Sequence, residues 1–249
     1  MDYVFVVTYG RSGSTLVQGM LNAMPRTLVR GENGLYVQHL FRAWQAADEI
    51  RQKRKGAGAK SSSNAFFGIN ALTRGRFVRS AQRLVVGGML GSEDAKDFDR
   101  LGFKEVEWHH LTAEETEPFF AWLEEVCPDA KYVLNTRDVE TVLGSGFWQR
   151  RDTDESVRAI ERVVEIQDFL RASRPDRVLD TRYEVITGED KAASDAAMEA
   201  LATFVLGGCD AALLDALRAT LEVGHGPNPF GKSRKDQKPG HESDEQPEA

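Results

Sequence analysis

The first apolar block of the chain, Tyr3-Val4-Phe5-Val6-Val7-Thr8, is continuous rather than alternating and rich in β-branched and aromatic residues. That is the pattern of a strand buried on both faces. It runs straight into Tyr9-Gly10-Arg11-Ser12-Gly13-Ser14-Thr15 and then into Leu16, Met20 and Leu21 at helical spacing. The pattern predicts strand, tight glycine loop and helix, which is how a parallel α/β sheet begins.

Later segments repeat the alternation. Helical spacing covers Tyr36 to Ile50, less clearly Phe66 to Leu90, and strongly Ser156 to Ala172, where Val157, Ile160 and Val164 recur. Leu101 to Trp108 and Lys131 to Thr136 read as strands, with a short one opening at Val178. Thr112 or a neighbour is placed to cap a helix Glu114 to Val126, closed by Pro128. Asp138 is placed to cap a helix reaching about Trp148, and Asp190 to Leu206 reads as another helix. No internal repeat is present. The expectation is one α/β domain over residues 1–235, a three-layer P-loop-like fold with a central parallel sheet flanked by helices. Residues 51–63 are basic and rich in glycine and serine, so they are expected to form a mobile loop. Residues 236–249 are expected to be a disordered tail.

Composition narrows the function classes. The 249 residues are 41% hydrophobic and 29% charged, with a net charge of −7. A chain this long buries roughly 70–75% of its unfolded surface and folds without disulfide or metal staples. The acidic balance argues against a general nucleic-acid binder. No apolar run approaches the ~20 residues of a membrane span. The N-terminus lacks the basic region and cleavage site of a signal peptide. Cys127 and Cys209 form no paired motif, so a zinc ribbon or thioredoxin-type site is excluded and a reducing, cytoplasmic setting is expected. One asymmetry stands out: residues 51–91 carry nine Lys or Arg and no acid.

The first loop carries chemistry. Gly10 and Gly13 allow close backbone approach to an anion, and the N–H groups at the helix start point toward it with the helix dipole behind them. Ser12, Ser14 and Thr15 add hydroxyls, and Arg11 adds a fixed cation. This is a phosphate cradle but not a Walker A loop, which needs four residues between its glycines and a Lys after the second. Here two residues separate the glycines and Ser14 follows. Nor is it a nucleophile elbow, since Ser14 stands where the last glycine belongs. A second motif, Tyr132-Val133-Leu134-Asn135-Thr136-Arg137-Asp138, places a cation at a strand end, with Ser145 eight residues after Arg137. If Asp138 starts a helix, Ser145 lies about two turns on and on the same face.

Together these motifs resemble the sulfotransferases that use 3′-phosphoadenosine 5′-phosphosulfate (PAPS). The first loop is similar to their 5′-phosphosulfate loop, with Arg11 as in the Golgi-type, tyrosylprotein and several bacterial branches, where the cytosolic branch has Lys. Arg137 and Ser145 match the pair that binds the 3′-phosphate. Thr181-Arg182-Tyr183-Glu184-Val185-Ile186 and Phe204-Val205-Leu206-Gly207 resemble further family segments, so the resemblance runs in order over residues 3–208.

The resemblance implies in-line transfer of a sulfuryl group to a hydroxyl or amine, leaving PAP, without a metal. It implies cofactor contacts from Gly10, Arg11, Ser12, Gly13, Ser14, Thr15, Arg137, Ser145 and Tyr183. Lys232, in a basic stretch that keeps the charge but not the spacing of the cytosolic closing loop, is a further candidate. Catalytic candidates are Arg11 beside the leaving group, Lys104 toward the sulfuryl oxygens, and Glu32 as the base, in a Gly31-Glu32 segment like that of the Arg-loop branches. Lys104 pairing with Glu105 is the alternative for that residue. His109 and His110 are rival bases, with His39 behind them. Small-molecule, carbohydrate and peptide acceptors all stay open, and the oligomeric state is not legible. Two other readings remain: an ATP-dependent phosphotransferase, for which Asp180 is the nearest Mg²⁺-holding candidate, and a non-catalytic nucleotide-binding module.

Overall fold

The first strand, β1 (Asp2–Val7), lies at the middle of a five-stranded sheet in a computed structural model that describes residues 1–54, 60–145, 148 and 153–223. The order is β2 (Thr27–Arg30), β3 (Arg100–Glu105), β1, β4 (Lys131–Thr136) and β5 (Val178–Arg182). Every pairing is parallel. β1 is buried on both faces, which its unbroken apolar run demands. Tyr3, Phe5 and Val7 join one core, and Val4 and Val6 join the other.

Helices form the outer layers. Those with described positions are α1 (Ser14–Ala23), α2 (Tyr36–Arg54), α3 (Arg74–Leu90), α4 (Ala113–Val126), α5 (Val139–Leu143), α6 (Thr153–Ser173), α7 (Tyr183–Ile186), α8 (Lys191–Leu206) and α9 (Ala211–Val223). The larger core unites β1, α2, α3, α4 and α6, around Phe41, Trp108, Phe119, Phe120 and Trp122. The smaller unites α1, α8 and α9 on the opposite face. The result is the three-layer α/β, P-loop-like fold with a parallel sheet. Among the described residues, no single helix is long and apolar enough to cross a membrane. Both cysteines are free thiols, and burial pushes that of Cys127 well up.

Several boundaries depart from the sequence expectation. Arg51 to Arg54, expected in a loop, form the last turn of α2, where Arg51 pairs with Asp48 and Lys53 with Glu49. Residues 55–59 and the expected tail lie outside the described residues. The helix expected from Phe66 begins only at Arg74, where Thr73 caps it; a 3-10 turn at Ile69–Ala71 precedes it. The strand expected to reach Trp108 stops at Glu105, because Trp108 turns into a 3-10 turn (Trp108–His110) and buries its ring beside Phe120. The helix after Asp138 ends at Leu143, where Gly144 takes the C-cap. β2 and α9 are additional elements, one at the sheet edge and one packed on α1.

Candidate active site

A cleft of about 790 Å³ opens at the carboxyl ends of the strands. In open α/β sheets this is where ligands bind, at the point where successive strands leave to opposite sides of the first. Here β1 has β3 on one side and β4 on the other. The cleft is lined from β1 by Gly10, Arg11, Gly13, Ser14 and Thr15, from the neighbouring strand ends by Glu32, Lys104 and Arg137, and beyond them by Ser145 and Tyr183. Ten of the predicted positions therefore face one space.

The loop after β1 is held by its carbonyls. Trp148 Nε1 donates to the Gly10 carbonyl at 2.9 Å, Arg137 Nη1 to that of Arg11 at 3.2 Å, and Asn135 Nδ2 to that of Ser12 at 2.9 Å. Three successive carbonyls are thus engaged by side chains of the protein, which fixes the backbone of the loop. Arg11 adopts a left-handed φ of 66°, a conformation costly for a residue with a Cβ and tolerated where the surroundings hold it. At the start of α1, Gly13 is the N-cap with φ 80°, no side chain caps the helix, and no acid stands in its first turn. The dipole end is therefore uncompensated by the chain itself.

Below the loop lies a buried polar network. Thr8 Oγ1 donates to the Asn135 carbonyl at 2.7 Å and lies 2.7 Å from Ser12 Oγ. Thr181 Oγ1 donates to Asn135 Oδ1 at 3.1 Å, and Gln167 Nε2 donates to the Val7 carbonyl at 2.8 Å. Thr8, Ser12, Asn135 and Gln167 have no exposed surface. The Ser12 hydroxyl is thus fixed in the floor of the loop and does not line the cleft. Apart from Gln167 Oε1, which has no partner among the described residues, these buried groups are bonded, and such bonds impose one geometry on the loop above them.

Gly13 also has a structural reason beside the expected one. A Cβ there would lie 2.1 Å from a ring carbon of Tyr183. The missing side chain makes room for that ring, which lies against the loop while the Arg137 guanidinium stacks over it, 4.2 Å from the ring centre. This cation–π contact holds Arg137 at the rim. Tyr9 fixes the same strand end from behind: its hydroxyl donates to the Arg137 carbonyl at 2.7 Å and accepts the Arg137 N–H at 3.0 Å. Burial raises the Tyr9 pKa above its ordinary value, so it stays a donor.

Arg137 and Ser145 meet in the cleft, although not on one helix face. Asp138 caps α5 by accepting the Thr141 N–H at 2.8 Å, and hydrogen bonds from Thr141 hold its carboxyl below the usual range. Ser145 follows the Gly144 cap, and its Oγ is buried with no hydrogen-bond partner among the described residues. An orphaned buried hydroxyl beside a rim arginine fits an anionic ligand group. The uncapped start of α1, with no acid in its first turn, fits a second.

On the opposite wall, Lys104 Nζ and Glu32 Oε1 are 2.6 Å apart. The Lys104 side chain is 7% exposed and that of Glu32 52%, so the pair presents its carboxylate to the cleft. Lys104 engages Glu32 rather than Glu105. Among the described residues neither His109 nor His110 lines this cleft. Trp108, its Nε1 donating to the Glu105 carbonyl at 2.9 Å, turns the chain away, and His109 lines a separate pocket of about 220 Å³ with Arg158 and Arg162 of α6. His39 lies on α2, away from the cleft lining. Asp180 is engaged by Arg171 at 2.6 Å. Lys232 lies outside the described residues.

Sequence reading did not single out Trp148, Gln167 or the floor role of Asn135. Only Asn135 carries a local signal, an amide directly after the apolar run Tyr132 to Leu134 in the same strand. A comparison with curated proteins finds no match. The model of the sulfotransferase family matches residues 3–202, which include every lining residue of the cleft but Leu221, and the chain belongs to that family.

Proposed function

We propose that the protein transfers a sulfuryl group from PAPS to a hydroxyl or amine acceptor, with Glu32 as base and no metal. The observation that carries this reading is the convergence of two anion-ready positions, the α1 start and the Arg137–Ser145 rim, with a Lys–Glu pair in one cleft. Arg11 and the N–H groups of Ser14 and Thr15 would hold the 5′-phosphosulfate end, and Arg137 with Ser145 the 3′-phosphate. When bound, PAPS supplies the activated sulfuryl group. Glu32 takes the proton from the acceptor oxygen or nitrogen. Lys104 orients that carboxylate and lies close enough to the cleft to offset charge on the sulfuryl oxygens. Arg11 and the α1 dipole stabilise charge growing on the leaving phosphate. Two unpaired thiols suit a cytoplasmic setting.

PAPS labelled in its sulfuryl group, incubated in EDTA with pools of alcohols, phenols, sugars and amines, tests the reaction. Label moving to an acceptor supports it. Label transfer only from the γ-position of ATP, and only with Mg²⁺, points to a phosphotransferase instead. With the acceptor in hand, Glu32→Gln should cost about 10²–10⁴ in turnover, the usual loss of a general base, and leave PAP affinity unchanged. Wild-type turnover in that variant removes Glu32 from the role.

A further inference from the structure

We infer that Glu105 is a positioning residue for the reaction, its buried carboxylate holding the loop that carries Glu32; this rests on the reading of Glu32 as the base. Glu105 ends β3 with 2% of its surface exposed. A carboxylate taken out of water is costly unless its oxygens are satisfied. No cation pairs with this one among the described residues. Instead three backbone N–H groups donate to it. Oε1 accepts from Val106 at 2.8 Å and Glu107 at 3.2 Å, and Oε2 accepts from Asn33 at 3.1 Å.

The third bond crosses from β3 to the β2–α2 loop and ends on the residue after Glu32. Successive strand side chains point to opposite faces, so Lys104 and Glu105 leave β3 in different directions. Lys104 Nζ takes the Glu32 carboxylate, and Glu105 Oε2 takes the Asn33 N–H. The end of one strand thus holds two adjacent residues of the loop, one by its side chain and one by its backbone. The loop needs holding. Gly34 and Leu35 have φ of 63° and 65°, consecutive left-handed residues, and Leu35 carries a Cβ that makes this conformation costly. Such strain persists only where the surroundings impose it. A carboxylate has acceptor positions for all three donors; the amide of a glutamine has one acceptor oxygen and would turn its NH₂ toward an N–H.

Glu105→Gln should therefore lower turnover of sulfuryl-labelled PAPS by about 10–100-fold, the scale of a displaced catalytic group. The acceptor is the one the labelled-donor screen yields or, lacking one, water. PAP affinity by calorimetry should stay within about twofold, since no residue of the two phosphate positions is touched. The deciding readout is the double variant. If Glu105 acts through Glu32, Glu32→Gln combined with Glu105→Gln is no slower than Glu32→Gln alone. Losses that multiply, or a Glu105→Gln variant at wild-type turnover, overturn the inference while leaving the Glu32 reading standing. A Glu32→Gln variant at wild-type turnover overturns the base assignment instead. Should Glu105→Gln fail to fold, amide exchange on the unaltered protein decides: the Asn33 N–H is protected if Glu105 holds it, and exchange at the unprotected rate contradicts the claim.

Discussion

Helices α1 and α4 both leave the carboxyl end of the sheet, yet their first turns are built in opposite ways. At α4 the chain satisfies itself. Thr112 Oγ1 accepts the Glu115 N–H at 3.3 Å, the Glu115 carboxylate accepts the Thr112 N–H at 3.1 Å, and Glu114 adds a second acid to the turn. Arg42 then grips Glu115 with two bonds of 2.8 Å. At α1 there is a glycine cap, no side-chain bond and no acid. Helix starts with unused donors are costly to bury and weakly stabilising, so a protein that caps α4 so thoroughly has no folding reason to leave α1 open. The difference supports the proposed reading of α1 as a position for an anion from outside, with α4 as a piece of scaffold.

The sharpest consequence at the cleft concerns Arg137, which both ties the Arg11 carbonyl and faces the space beside Ser145. Arg137→Ala should weaken PAP binding by about 1.5–3 kcal/mol, the worth of charge-assisted hydrogen bonds. Isothermal titration reads this directly, and unchanged affinity would detach Arg137 from the site.

At α4 the expected effect is smaller and of a different kind. Glu115→Gln should lower stability by about 1 kcal/mol, discounted for a pair that is partly exposed, and leave PAP affinity alone. In a chain of this size that is a fall of roughly 2–4 °C in Tm. Arg42, then the Thr112 N–H, hold the Glu115 carboxyl below its ordinary value of 4.5. A carboxyl with a lowered folded pKa stabilises the fold above its unfolded pKa and stops doing so as pH falls through the folded value. The gap in Tm between variant and wild type should therefore be full at neutral pH and close below about pH 4.5. A gap that persists undiminished in acid would assign the loss to packing rather than to the ion pair.

What the sequence revealed follows the range of each interaction. β4 was legible because four of its six positions are apolar or β-branched, three of them, Tyr132 to Leu134, in one run, and the Thr112 cap because its partner is three residues away. The α1 loop was legible because its glycines and hydroxyls are contiguous. β2 is four residues long at the sheet edge, with little periodicity to detect. The end of α5 turned on Gly144 acting as a cap rather than as a costly helical residue, which moved Ser145 off the helix without moving it out of the cleft. The loop's supports were the least legible. Trp148 reaches Gly10 across 138 positions and Gln167 reaches Val7 across 160, and no spacing rule connects them. Gly13 was read as allowing close approach to an anion; the Tyr183 ring, which a Cβ there would meet, had no local signal.

The contrast between the two helix starts can be tested by giving α1 what α4 already has. Thr15 is exposed and lies in the first turn of α1, where an acid should stabilise the free protein by roughly 0.3–1 kcal/mol. The same charge would repel an anion bound at that turn, by about 1–4 kcal/mol at contact distance. Calorimetric titration of PAPS in EDTA into wild type and Thr15→Asp, beside the melting curve of each free protein, is the measurement. The account predicts metal-independent binding in the wild type, at least tenfold weaker binding in the variant, and a Tm equal to or above that of the wild type. Equal PAPS affinity in the two proteins, or wild-type binding that appears only with Mg²⁺ present, would contradict it.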